Sequence, residues 1–238
     1  MKAKAKKTQA PPKTFEDALR VTVKPEATDF HEALTYDFDN LQPNSATVTM
    51  RWDKVAVPFK VEVNTNEFVQ QSLKNQMRGR PQYEWEAGQE AASYLVDNKG
   101  NMDDALKYAN SSVQIEERFE NLMTKAKILD SLNRSDEAKA ARTKGMSIAT
   151  ANQLHGYGRQ LQQQGKSDQA FEVFRVNMKR NPEHWTSLSE AARIASAGGD
   201  FDNAVKQMKL AMAVAPETLK AALQGLVTRL EKEDDINK

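Results

Sequence analysis

The stretch Gly-Asn-Met-Asp-Asp-Ala at 100–105 recurs in altered form three times, as Asn-Arg-Ser-Asp-Glu-Ala at 133–138, Gly-Lys-Ser-Asp-Gln-Ala at 165–170 and Gly-Asp-Phe-Asp-Asn-Ala at 199–204. The closing alanines, Ala105, Ala138, Ala170 and Ala204, stand 33, 32 and 34 residues apart. Gly100, Asn133, Gly165 and Gly199 open the copies, and these residue types tolerate the left-handed backbone that ends a helix. Asp103, Asp136, Asp168 and Asp202 follow, where a carboxylate in a first helical turn meets the positive end of the macrodipole. Each copy therefore reads as a helix stop followed at once by a helix start.

Working upstream, Ser93, Ala126, Gly158 and Ala192 each lie twelve residues before a repeat alanine. Small residues at both places let two helices approach to roughly 8–10 Å between axes. Apolar partners keep the period: Val96, Leu129, Leu161 and Ala195 on the first helix, Val113, Met146, Met178 and Met212 on the second. Pro182 and Pro216 close the last two units, while Glu117 and Thr150 stand at that place in the first two. This pattern, over 82–216, is similar to the tetratricopeptide repeat, a helical hairpin of about 34 residues with small residues at the helix contact. Beyond Pro216, Leu219, Leu223, Leu226, Val227 and Leu230 recur at helical spacing, as expected of a capping helix with a polar outer side.

Residues 18–63 alternate with period two, the mark of strands with one buried face. Four strands are expected, around Leu19 to Val23, Leu34 to Phe38, Ala46 to Trp52 and Val55 to Val63, with tight turns at 40–45 and at Asp53-Lys54. Connections this short favour antiparallel neighbours, and Pro58 places the last strand at an edge or a bulge. A helix starting after Asn64 or Thr65, with Phe68, Val69, Leu73 and Met77 on one stripe, is expected to cover part of this sheet. The run Glu16 to Pro25, with Leu34-Thr35-Tyr36-Asp37-Phe38-Asp39-Asn40-Leu41, Ser45-Ala46-Thr47 and Arg51-Trp52, resembles the latter half of a bacterial domain known only as domain of unknown function 2911. Members of that family commonly carry a signal peptide, and some carry tetratricopeptide repeats behind the β domain. The resemblance implies a soluble, periplasmic setting if the chain is part of a longer protein, the alternative being the cytoplasm, and it assigns no catalytic residue.

The fold class expected is thus α+β: an antiparallel β region with one helix over 15–80, then four hairpins and a capping helix over 81–238. Residues 1–14, with five lysines and the pair Pro11-Pro12, read as a disordered basic arm. A net charge of +1 supplies no global field toward nucleic acid or anionic membrane. No apolar run approaches the length of a membrane span. The absence of cysteine excludes disulfides, thiolate metal sites and a cysteine nucleophile.

No enzyme is expected. His31, His155 and His184 stand far apart outside any ligand motif, and no Gly-rich phosphate loop or acid–base pair is present. No metal or cofactor is expected either. Stacked hairpins instead expose their first helices on one concave wall suited to a partner segment. Eleven residues before the repeat alanines stand Tyr94, Lys127, Arg159 and Arg193, and one turn earlier Glu90, Met123, His155 and Ser189. These eight are the candidate partner-binding residues. Three cations in a row suit an extended protein segment that carries carboxylates. Long solvated side chains over apolar surface would give the same pattern. The alternative function is that the repeats brace an N-terminal β domain that binds or acts on a small molecule.

Overall fold

The computed structural model describes residues 20–237, so the basic arm lies outside the described residues. Two compact units follow one another, one through Gln71 and one from Ser72.

In the first unit β1 (Glu26–Gln42) and β2 (Ser45–Glu62) form an antiparallel pair. Four strands are expected from the alternation, and two long ones are found. The physical reason lies at Asp53: it takes a left-handed φ of 53° opposite a register shift at His31. From Ala27 to His31, and again from His31 to Thr35, β1 advances four residues while β2 advances two, so the surplus residues lie in β1 and the pair bends without ending there. The end of β2 returns beside its own start, with Val63 N donating to Asn44 O at 2.9 Å and Thr65 Oγ1 to Pro43 O at 2.8 Å. No strand is assigned over 20–25. One face carries a polar cluster: Arg51 donates to Asp37 at 2.7 Å and to Asp39 at 2.5 Å, and Thr49 Oγ1 donates to Asp39 at 2.7 Å. Phe30, Leu34, Tyr36, Phe38 and Trp52 are left exposed.

Helix α1 (Thr65–Gln76) is capped by Asn64, whose side chain accepts from Glu67 N at 3.2 Å. It buries no residue and Phe68 is 66% exposed, so it does not cover the ribbon as its stripe suggests. Leu73 and Met77 instead pack against Ala91, Ala92 and Tyr108. The division between the two units falls inside this helix, after Gln71.

A 3₁₀ turn (Arg80–Tyr83) leads into four hairpins: α2 (Trp85–Asp97) with α3 (Met102–Ile115), α4 (Phe119–Ser131) with α5 (Ser135–Ile148), α6 (Ala151–Gln163) with α7 (Ser167–Arg180), and α8 (Trp185–Ala197) with α9 (Phe201–Val214). Ala105, Ala138, Ala170 and Ala204 are all fully buried, as the small-residue contact demands. Asp103, Asp136, Asp168 and Asp202 all lie in first turns. This is a tetratricopeptide-like array. The capping helix α10 (Glu217–Leu230) sets Leu223, Val227 and Leu230 against Ala204, Met208 and Ala211 of α9.

The first hairpin departs by one residue. Its loop spans 98–101, against three residues in the other units, and Lys99 rather than Gly100 takes the left-handed φ of 52°, as Asn133, Gly165 and Gly199 do in theirs. The extra residue rotates α2 by one position. Ala92 and Leu95 are consequently the buried residues, in place of Ser93 and Val96.

Candidate functional site

The hairpins are not joined alike. Between the first and second, Ser112 Oγ donates to Trp85 O at 2.7 Å and accepts from Asn121 Nδ2 at 2.9 Å. Between the third and fourth the matching residue is Asn177, whose amide donates to Ala151 O at 3.0 Å and to Glu190 Oε1 at 2.9 Å. Both residues lie seven after the repeat alanine and are fully buried. At the same place in the second hairpin stands Gly145, with no side chain to reach across. The second and third hairpins are tied elsewhere, near the starts of α4 and α6. Gln153 Nε2 donates to Glu120 at 2.6 Å, Phe119 meets Tyr157 edge-on at 6.1 Å, and Arg180 donates to Ala149 O at 3.0 Å.

A cleft of about 1360 Å³ runs along these helices, from Phe119 and Gln153 near their starts to Ser131 and Gln164 near their ends. Its walls combine Met123, Met146, Tyr157, Val173 and Val176 with Lys127, Asp130, Arg142 and Lys166. Lys127 pairs with Asp97 at 2.6 Å, with both side chains more than half exposed. Arg142 pairs with Asp130 and bonds the Tyr157 hydroxyl, while burial raises the Tyr157 pKa.

Of the eight residues chosen from sequence, Met123 and Lys127 line this cleft. Ser93 lines it at the first hairpin; Tyr94 packs against the α2–α3 core and Glu90 is exposed, because the longer loop rotates α2. The remaining four lie along the other side of α6. His155 Nδ1 stands 3.1 Å from Glu190 Oε1, and its ring stacks on Phe174 at 6.1 Å. Ser189 is buried. Arg159 bonds Gln162, and Arg193, 6% exposed, donates to Ile236 O at 2.8 Å. The three cations therefore do not form one open row. Burial pulls the Arg193 pKa down to about 10, helped by repulsion from Arg159 and Arg229.

Residues 1–61 match the family described as protein of unknown function, DUF2911. The bent ribbon is the described part of this DUF2911 region, and the hairpin array follows it. No curated protein matches the chain. Among solved structures, it is similar to MamA, with 17% identity, 66% of this chain and 92% of that one covered, and a TM-score of 0.41. It is similar also to the APC/C hetero-tetramer Cut9-Hcn1, with 15% identity, coverages of 71% and 33%, and a TM-score of 0.40. A third is YrrB, described as a TPR protein with an unusual peptide-binding site, with 14% identity, coverages of 68% and 84%, and a TM-score of 0.37.

Sequence reasoning missed Tyr157, Val173 and Val176 as cleft residues. The glycine at 145, where Ser112 and Asn177 stand in the flanking units, marks the junction without a buried tie, but it does not line the cleft, and Leu122 and Met123 come within 3.4 Å of where its Cβ would be. Among the described residues no cluster of three or more acidic or histidine side chains could hold a metal, and no helix is long and apolar enough to cross a membrane.

Proposed function

We propose that the helical array is a non-enzymatic binding module that holds an extended segment of a partner polypeptide in the cleft between its second and third hairpins. The observation that carries this reading is the cleft itself. At about 1360 Å³ it exceeds the roughly 300–1000 Å³ of sites that enclose small molecules. Its apolar wall offers methionines, which adapt to varied partners, and an aromatic ring with a polar tip, a residue type enriched at interfaces. Lys127 adds a preference for carboxylates on the partner. Its bond to Asp97 is solvent-exposed, and such pairs contribute only about 0–1 kcal/mol, so exchange for a partner carboxylate costs little.

The alternative, a brace for a β domain that engages its own ligand, draws support from the exposed Phe30, Tyr36, Phe38 and Trp52 of the ribbon. Selection of peptides from a random display library against the full chain separates the two. Peptides recovered should carry acidic and apolar residues and should lose binding to Tyr157→Arg while keeping it to Phe38→Lys. Retention by Tyr157→Arg with loss by Phe38→Lys would reject the cleft in favour of the ribbon.

A further inference from the structure

Beyond α10 the chain turns back and lays residues 235–237 along the inner face of α6 and α8. Each is read individually. Asp235 Oδ1 accepts from Ser196 Oγ at 3.2 Å. Ile236 is 3% exposed in the cluster with Ala192, Val227 and Leu230; its N–H donates to Ser196 Oγ at 3.1 Å and its carbonyl accepts from Arg193. Asn237 donates its amide to Arg193 O at 2.8 Å and accepts from Gln162 Nε2 at 2.7 Å. Side chains binding the main chain of an extended segment around one buried aliphatic anchor is how a groove reads a peptide.

Two features set this arrangement apart from a permanent plug. The segment hangs on a turn in which Glu233, a non-glycine residue, takes a left-handed φ of 60°, a conformation that costs free energy. Arg193 keeps its Nε buried with no hydrogen-bond partner, beside Arg159 and Arg229, whose charges repel it. Asp235 of the segment and Glu190 of α8 supply the opposing charge, and the unbonded Nε leaves room for an occupant that bonds it.

We propose that the inner face of α6 and α8 is a peptide-binding site for acidic–aliphatic–amide segments, with residues 235–237 as a built-in, exchangeable occupant. A partner polypeptide presenting an aspartate or glutamate, then isoleucine or a similar aliphatic residue, then asparagine would displace it. This site does not depend on the cleft, since it uses Arg159 and Gln162 on α6, and the cleft uses Gly156, Tyr157 and Gln160 of that helix.

The test uses a fluorescein-labelled peptide, Lys-Glu-Asp-Asp-Ile-Asn-Lys, copied from 232–238, titrated into the full chain and into its Ile236→Ser variant. The variant, its own anchor removed, should bind the peptide at least ten times more tightly than wild type, and Tyr157→Arg in that background should change nothing. A peptide with serine in place of isoleucine should bind neither. Equal binding by wild type and variant, or loss of cooperative unfolding in Ile236→Ser, overturns exchange and makes the segment a fixed part of the fold. Hydrogen exchange on the unmodified chain gives a second reading. The Ile236 amide should exchange at least ten times faster than amides in the middle of α8, and equal protection would contradict the proposal.

Discussion

Gly156 and Gly158 stand two residues apart in α6, and the same change, glycine to alanine, should move stability in opposite directions. A methyl carbon built at 158 would sit 2.2 Å from Cε1 of Phe174 and 2.7 Å from Cδ1. Ordinary van der Waals contact begins near 3.4 Å, so the ring would have to retreat by more than 1 Å. It has nowhere to go: Phe174 is fully buried, with the rings of His155 and Phe171 packed at 6.1 and 6.3 Å. Overpacking of this kind costs about 1–3 kcal/mol, against which alanine regains about 1 kcal/mol of helix propensity. Gly158→Ala should therefore lose up to about 2 kcal/mol. At Gly156 nothing lies within 4 Å of the added carbon, so Gly156→Ala should gain about 0.5–1 kcal/mol from propensity alone. Urea denaturation followed by helical circular dichroism measures both. Phe174→Leu, which removes the obstructing ring edge, should be less damaging in the Gly158→Ala background than alone, with a coupling of about 1 kcal/mol or more. A Gly158→Ala chain as stable as Gly156→Ala, or no coupling to Phe174, would refute the close approach of α6 and α7 at this point.

Three further outcomes follow from local chemistry. Lys99 carries a left-handed φ where its counterparts include Gly165 and Gly199, so Lys99→Gly should stabilise by about 0.5–1 kcal/mol and Gly165→Ala should destabilise by about 1 kcal/mol; equal effects in thermal melts would contradict this. Burial pushes the Glu190 carboxyl above its ordinary pKa, although bonds from His155 and Asn177 pull the other way. The folded chain thus holds that proton more tightly than the unfolded chain, ionisation costs stability above the ordinary carboxylate range, and the cost vanishes on acidification. Glu190→Gln should then be more stable than wild type at about pH 8, with the gain shrinking toward pH 4.5; a gain that grew on acidification would reverse the sign and contradict it. Asp39 is held below its usual pKa first by the Thr49 hydroxyl and then by Arg51, so Thr49→Val should raise it in an NMR titration, and an unmoved midpoint would show that the hydroxyl is idle. The Asp39 contribution to stability is present above the unfolded-state pKa and is lost as pH falls through the lower folded value.

What the sequence made legible was whatever recurs. Ala105, Ala138, Ala170 and Ala204 sit at helix contacts because each copy of the motif meets the same steric demand, and four repetitions separate that demand from chance. What it hid were single departures. One extra residue at 98–101 rotates α2, and counting back from Ala105 across a loop of assumed length then selects Tyr94 and Glu90 instead of Ser93 and its neighbours. Gly145 looks unremarkable in a helix until Ser112 and Asn177 are seen tying the flanking junctions. Asp53-Lys54 carries the same left-handed residue for a hairpin turn and for a bulge, so alternation alone could not tell four strands from two bent ones. Arg159 and Arg193 keep the spacing of an exposed ladder. Only the returning segment, whose one sign in sequence is the lone Ile236 among charged residues, shows Arg193 to be buried against it.

The cleft between the second and third hairpins is tested most directly by placing a photo-reactive phenylalanine analogue at Met146 in one full-length chain and at Phe30 in another. Each is irradiated with an acidic, apolar peptide selected for binding to the wild-type chain, and the adduct is mapped by mass spectrometry. Partner binding in the cleft predicts a covalent adduct from position 146 and none from position 30. An adduct from position 30 with none from position 146 would contradict it.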